Sequence, residues 1–118
     1  MGNLLIVEEN SQSKEWALDE REQWVLGRMV PGNEPDIQSL SPIVSRQHGQ
    51  FIKVNDQWFY IDLGSLNGTF YNGKKISQGI NGKKKPVMLS DGDELRIDTD
   101  YVNGTDLRHV IIRFKTFQ

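Results

Sequence analysis

The chain has 118 residues, 36% hydrophobic and 25% charged, with net charge −2 and no cysteine. That composition excludes intrinsic disorder, disulfides and thiolate metal sites, and the length suits one ordinary hydrophobic core. A general nucleic-acid binder is usually basic overall, so that class is disfavoured. No run approaches the ~20 apolar residues of a membrane helix, and residues 1–7 are too short and too weakly basic for a signal peptide. These features fit a cytoplasmic protein that does not insert into a membrane.

In chain order the β-rich runs are residues 4–7, 24–26, 50–54, 58–61, 69–71, 87–89, 94–97 and 110–114. Turn signals lie between them. Asn67-Gly68, Asn72-Gly73, Asn81-Gly82, Asn103-Gly104 and Asp91-Gly92 supply the positive φ that tight hairpins demand. Short strands at close spacing predict an all-β sandwich or barrel. Within residues 108–115, Val110, Ile112 and Phe114 share one face while Ile111 and Arg113 take the other. Residues 13–22 are charged enough to be drawn as a helix. Trp16 and Leu18, two apart, favour a strand face instead. Lys83-Lys84-Lys85 before Pro86 reads as a solvated loop.

Three polar clusters stand at strand ends, where a rigid sandwich places binding residues. They are Gly27-Arg28, then Val44-Ser45-Arg46-Gln47-His48-Gly49, then the run from Asp62 through Asn67-Gly68-Thr69 to Asn72-Gly73. Ser45, His48 and Asp62 can be written as a catalytic triad. If a strand begins near Ser45, residues three apart point to opposite faces, which argues against it. No nucleophile elbow, phosphate loop or metal-ligand cluster is visible, so neither catalysis nor a metal or other cofactor is expected.

Taken together, Gly-Arg, Ser-Arg-x-His and Gly-Ser-x-Asn-Gly-Thr followed by Asn-Gly resemble the signature of the forkhead-associated (FHA) domain family. A Trp-containing strand lies between the second and third motifs, and residues 89–95 resemble the family's late turn. The resemblance implies one FHA domain over residues 1–118, a module of a longer parent protein. Its fold would be a sandwich of two largely antiparallel sheets with binding loops at one end.

The resemblance further implies a module that binds a threonine-phosphorylated protein or peptide downstream of serine/threonine kinases. Arg28, Ser45 and Arg46 would bind the phosphate, and a guanidinium fork suits phosphate oxygens. Asn67 would hold the peptide backbone, since an amide both donates and accepts. Gly27, His48, Gly68, Thr69 and Asn72 would support the loops. Three departures stand out. Leu66 precedes Asn67 where a serine or threonine is frequent. Ser39 sits where an apolar residue is common, with Leu40 next. Residues 29–35 beside Arg28 contain two prolines and a glycine. The alternatives are a phosphate-independent FHA-type scaffold or an intramolecular regulatory domain. The sequence leaves the oligomeric state open.

Overall fold

Burial alternates throughout β6 (Gln57–Asp62) and β10 (Glu94–Asp98) and over part of β1 (Gly2–Glu9), β3 (Gln23–Arg28) and β11 (His109–Phe117). In each of these strands one face is half-solvated and the other packs inward. A computed structural model, which describes residues 2–76, 85–98 and 109–118, shows where those inward faces meet. The remaining strands are β2 (Gln12–Ala17), β4 (Ile37–Ser39), β5 (Gly49–Val54), β7 (Phe70–Tyr71), β8 (Lys74–Lys75) and β9 (Val87–Met88).

One sheet runs β2-β1-β11-β10-β7-β8 and the other β4-β3-β5-β6-β9. All pairings given for these strands are antiparallel except β3 with β4, which is parallel. Leu5, Val7, Leu95, Ile97, Val110, Ile112 and Phe114 from the first sheet meet Trp24, Leu26, Ile37, Phe51, Trp58 and Tyr60 from the second. Val110, Ile112 and Phe114 are buried together, as the alternation of residues 108–115 requires. The fold is the all-β, two-sheet sandwich expected.

The segment 13–22 is corrected in part. The strand ends at Ala17, and Leu18–Glu20 form a 3₁₀ turn. Leu18 is buried from that turn rather than from a strand face, and its carbonyl accepts from Trp24 Nε1 at 2.9 Å. Turn chemistry is broader than the glycine signals. Asn10-Ser11 and Asn55-Asp56, with no glycine, hold positive φ between β1 and β2 and between β5 and β6. Asn72-Gly73 does the same between β7 and β8. Asn81-Gly82, Asn103-Gly104, Lys83 and Lys84 lie outside the described residues.

The register places one end of the sandwich. Leu26 pairs with Gly49, and Gly49 with Asp62. The loops that follow β3, precede β5 and follow β6 therefore emerge side by side.

Candidate functional site

The site begins with a close approach of two backbones at the end of β3. A Cβ on Gly27 would lie 1.9 Å from the Arg46 carbonyl oxygen, so only glycine lets the loop before β5 settle there. Directly after it, Arg28 N–H donates to the Ser45 carbonyl at 3.0 Å. Asn33 Nδ2 donates to the carbonyls of both Arg28 and Arg46, at 2.9 and 3.1 Å. Asn33 is positioned by a tight turn: its N–H and C=O pair with Val30, and Gly32 has φ of 85°. Pro31-Gly32 is the pairing a type II turn favours. The path of residues 29–35 is thus a second brace on Arg28.

The Arg28 side chain is half-buried. Its Nη1 donates to the Pro42 carbonyl at 3.2 Å. Its Nε is buried without a hydrogen-bond partner, and Arg28 forms no ion pair among the described residues. An arginine serving a structural ion pair would have a carboxylate here. Ser45 Oγ accepts from Leu66 N–H at 3.0 Å. Its own proton has no acceptor among the described residues and can be given to a ligand. Arg46 is exposed beside it.

Beneath Ser45 lies His48, completely buried. Ser45 N–H donates to Nδ1 at 3.1 Å, so Nδ1 carries no proton. Nε2 therefore donates to the Gly68 carbonyl at 3.0 Å. Burial depresses the His48 pKa below its ordinary value, partly opposed by Asp62 and the Gly68 carbonyl. The ring is a neutral strut between the two loops.

Asp62, at the end of β6, templates the third loop. Its Oδ1 accepts from Gly64 N–H and Ser65 N–H, and its Oδ2 from the Ser65 and Thr69 hydroxyls, all within 2.9 Å. Since the Thr69 hydroxyl donates to Asp62, the buried Tyr60 hydroxyl donates to Thr69, at 2.9 Å. Burial by itself raises the Asp62 pKa, but these hydrogen bonds outweigh it and the carboxyl sits below the usual range. Gly68, with φ of 76°, donates its N–H to Ser65 Oγ. Asn67 Nδ2 donates to the Ile43 carbonyl at 2.7 Å. That spends one of its two N–H groups, and Oδ1 has no partner among the described residues.

Ser45, His48 and Asp62 are not separated onto opposite strand faces as expected. The strand begins at Gly49, not Ser45, and the three residues do converge. His48 Nε2 lies 3.7 Å from Asp62 Oδ2. What excludes the chemistry is direction. The one ring nitrogen able to act as a base is occupied by Ser45 N–H, on a ring with no exposed surface.

The structure thus brings Gly27, Arg28, Ser45, Arg46, His48, Asn67, Gly68 and Thr69 into one loop cluster. Asn72 stands apart at the opposite end of β7, where Oδ1 accepts from Glu94 N–H at 2.8 Å and Nδ2 donates to Asp93. The motif reading did not assign Asn33 or assign Asp62 to loop support. The Pro31-Gly32 turn was the available signal for the first. For Asp62, the signal was an acid followed at once by a serine-rich, glycine-rich turn. Ser39, the polar departure, is completely buried and donates to a Glu9 carboxylate oxygen, while Leu40 points to solvent.

A profile of the FHA domain matches residues 24–98. The probable E3 ubiquitin-protein ligase dma1 of Schizosaccharomyces pombe is 34% identical over 73 residues, covering 62% of this chain and 27% of that protein. The chain therefore spans little more than a quarter of that relative. The FHA domain of CT664 from Chlamydia trachomatis superposes with a TM-score of 0.74 at 23% identity, covering both chains completely. A chain solved in a study of phosphothreonine-dependent FHA domain interactions superposes at 0.68 and 20% identity, covering 100% of this chain and 99% of that one. At these identities the two structures establish the fold.

Proposed function

Because this chain belongs to the FHA domain family, a family of binding modules, we propose that it binds threonine-phosphorylated segments of partner proteins and performs no catalysis. One observation carries the reading: the half-buried Arg28 guanidinium, anchored through Nη1 to the Pro42 carbonyl, has no carboxylate partner among the described residues. A phosphothreonine brings a charge of about −1.5 to −2 and three acceptor oxygens. It would supply the partner Arg28 lacks, in the charge-assisted geometry a guanidinium favours.

Ser45 donates its free hydroxyl proton to a second oxygen, and Arg46 adds positive charge at the rim. Asn67 grips the peptide main chain through Oδ1 and its remaining N–H. Affinity then comes from a rigid pocket in which little reorganisation is needed. An unphosphorylated threonine offers a hydroxyl that leaves Arg28 unsatisfied. Losing one partner of such a contact costs about 2–5 kcal/mol, enough for a phosphorylation switch. The solved neighbour from work on phosphothreonine-dependent interactions supports the same chemistry.

We further propose that the domain serves a longer cytoplasmic protein as its phosphorylation-reading module. The matched relative, nearly four times the length aligned here, supports that arrangement.

Fluorescence anisotropy of a degenerate phosphothreonine peptide pool, its phosphoserine counterpart and its unphosphorylated twin tests the reading. Binding confined to the phosphorylated pools, strongest for phosphothreonine, is expected. Equal binding of the unphosphorylated pool would favour the phosphate-independent scaffold.

A further inference from the structure

Six large hydrophobic side chains are exposed among the described residues: Met29, Leu40, Val54, Leu66, Met88 and Phe117. Three of them lie in the segments next to Arg28 and Ser45 along the chain or across the register. Met29 follows Arg28 directly. Leu40 follows Ser39, the register partner of Arg28. Leu66 is 78% exposed, the most of the six, and its N–H is bonded to the Ser45 hydroxyl at 3.0 Å.

None of the three hangs on a loose chain. Met29 N–H donates to the Ser39 carbonyl, and Leu40 N–H to a Glu9 carboxylate oxygen. Leu66 sits in the turn templated by Asp62 and tied to Ser45. Each backbone is fixed, so the apolar surface exists before any ligand arrives. Burying such a pre-set surface avoids the ordering cost that usually erodes affinity.

Charge offers little alternative readout here. In the loops spanning residues 29–47 and 63–69, the charged side chains are Glu34, Asp36 and Arg46. Asp36 is spent on Arg21 and on Val25 N–H. The 63–69 loop carries none at all. A reader of acidic or basic flanks would present more fixed charge than one exposed arginine and one exposed glutamate.

We infer that the partner segment is a phosphothreonine flanked by apolar side chains, and that Leu66 is the residue that reads them. The inference rests on the phosphothreonine reading and adds the class of sequence recognised. Where a serine or threonine at position 66 would add a hydrogen bond to phosphate, leucine exchanges that bond for contact with the flank.

The test is selection from a peptide library with a fixed phosphothreonine and randomised neighbours, on the wild type, Leu66→Ser and Leu66→Lys. The wild type should enrich Ile, Leu, Val or Met near the phosphothreonine. Leu66→Ser should weaken the selected peptide about tenfold, equivalent to 1.4 kcal/mol. A phosphothreonine peptide with alanine flanks should bind Leu66→Ser at least as tightly as the wild type, because the new hydroxyl can donate to the phosphate and no flank contact is lost. Leu66→Lys should move enrichment toward Asp and Glu. Because Leu66 is exposed, both variants keep the fold, which their urea midpoints confirm. Phosphothreonine binding with charged or unselected flanks, or selection unaltered by Leu66→Ser, overturns this inference alone. No binding of any phosphothreonine peptide overturns the reading beneath it as well.

Discussion

Replacing His48 by alanine removes the strut between the two loops that form the pocket. The Gly68 carbonyl, in a buried residue, loses its donor, and an unsatisfied buried group of this kind costs about 1–3 kcal/mol. Ser45 N–H also loses its acceptor, but Ser45 is only half-buried, so water recovers part of that loss. The missing ring leaves a cavity at a position with no exposed surface, and large-to-small changes in such places add a further cost. Together these give about 3–5 kcal/mol, a large share of the ~5–15 kcal/mol of a typical domain. With a urea slope of about 1–3 kcal/mol per molar, the unfolding midpoint should fall by at least about 1 M. Trp24 and Trp58 are buried in the core and report the transition by fluorescence. His48→Asn places an acceptor oxygen where Nδ1 sits, restores the Ser45 bond alone, and should fall between the two. A midpoint for His48→Ala within about 0.3 M of wild type would refute the strut.

Gly27→Ala should destabilise by about 1–3 kcal/mol, because the added Cβ meets a backbone oxygen rather than a flexible side chain. It should also displace Arg46 and weaken phosphopeptide binding, measured on the same samples. Acid should destabilise the domain in two stages. His48 has a depressed pKa in the fold, so the unfolded chain takes up a proton first and stability falls as pH drops below about 6.5. The Asp62 pKa is depressed as well, so its contribution is present above about pH 4 and is lost as pH falls through the folded value. Melting temperatures from pH 8 to 3 should show both stages, with the first absent in His48→Asn; a flat profile between pH 7 and 5 would contradict the neutral buried ring. Ser11→Gly should raise stability by roughly 0.5 kcal/mol, since Ser11 holds φ of 60° where glycine is unstrained. An unchanged or lower melting temperature would place the turn's strain elsewhere.

The pattern of residues showed most of the fold because several of its strands alternate and many of its turns carry Asn-Gly or Asp-Gly. It failed where those signals are weak. β4 is only three residues long, lies at the edge of its sheet, and includes a buried serine whose partner, Glu9, is 30 residues away in sequence. β2 is nearly all exposed, so alternation gave no end point, and Leu18 reaches the core from a 3₁₀ turn. The hairpins at Asn10-Ser11 and Asn55-Asp56 take positive φ without glycine.

Motif order singled out Arg28, Ser45 and Asn67, which the structure brings into one loop cluster: Arg28 ends β3, Ser45 lies in the loop before β5 and Asn67 in the loop after β6. The bracing network was less legible. Asp62, Ser65, Thr69 and Tyr60 are common polar residues whose roles appear only once the turn folds them together. Asn33 acts on Arg28 and Arg46 through a turn inside a segment that lacked any strand pattern. Leu66 was visible as a departure, but its exposure and its bond to Ser45 emerge only from the structure.

The most direct measurement is a calorimetric titration of a phosphothreonine peptide pool and its unphosphorylated twin into the wild-type domain and into Arg28→Ala. The variant's fold is confirmed by its urea midpoint. Heat from the phosphorylated pool alone, reduced at least about thirtyfold in Arg28→Ala, matches the loss of a charged contact worth about 2 kcal/mol or more. Equal binding of both pools, or a folded Arg28→Ala that binds like the wild type, would contradict the account.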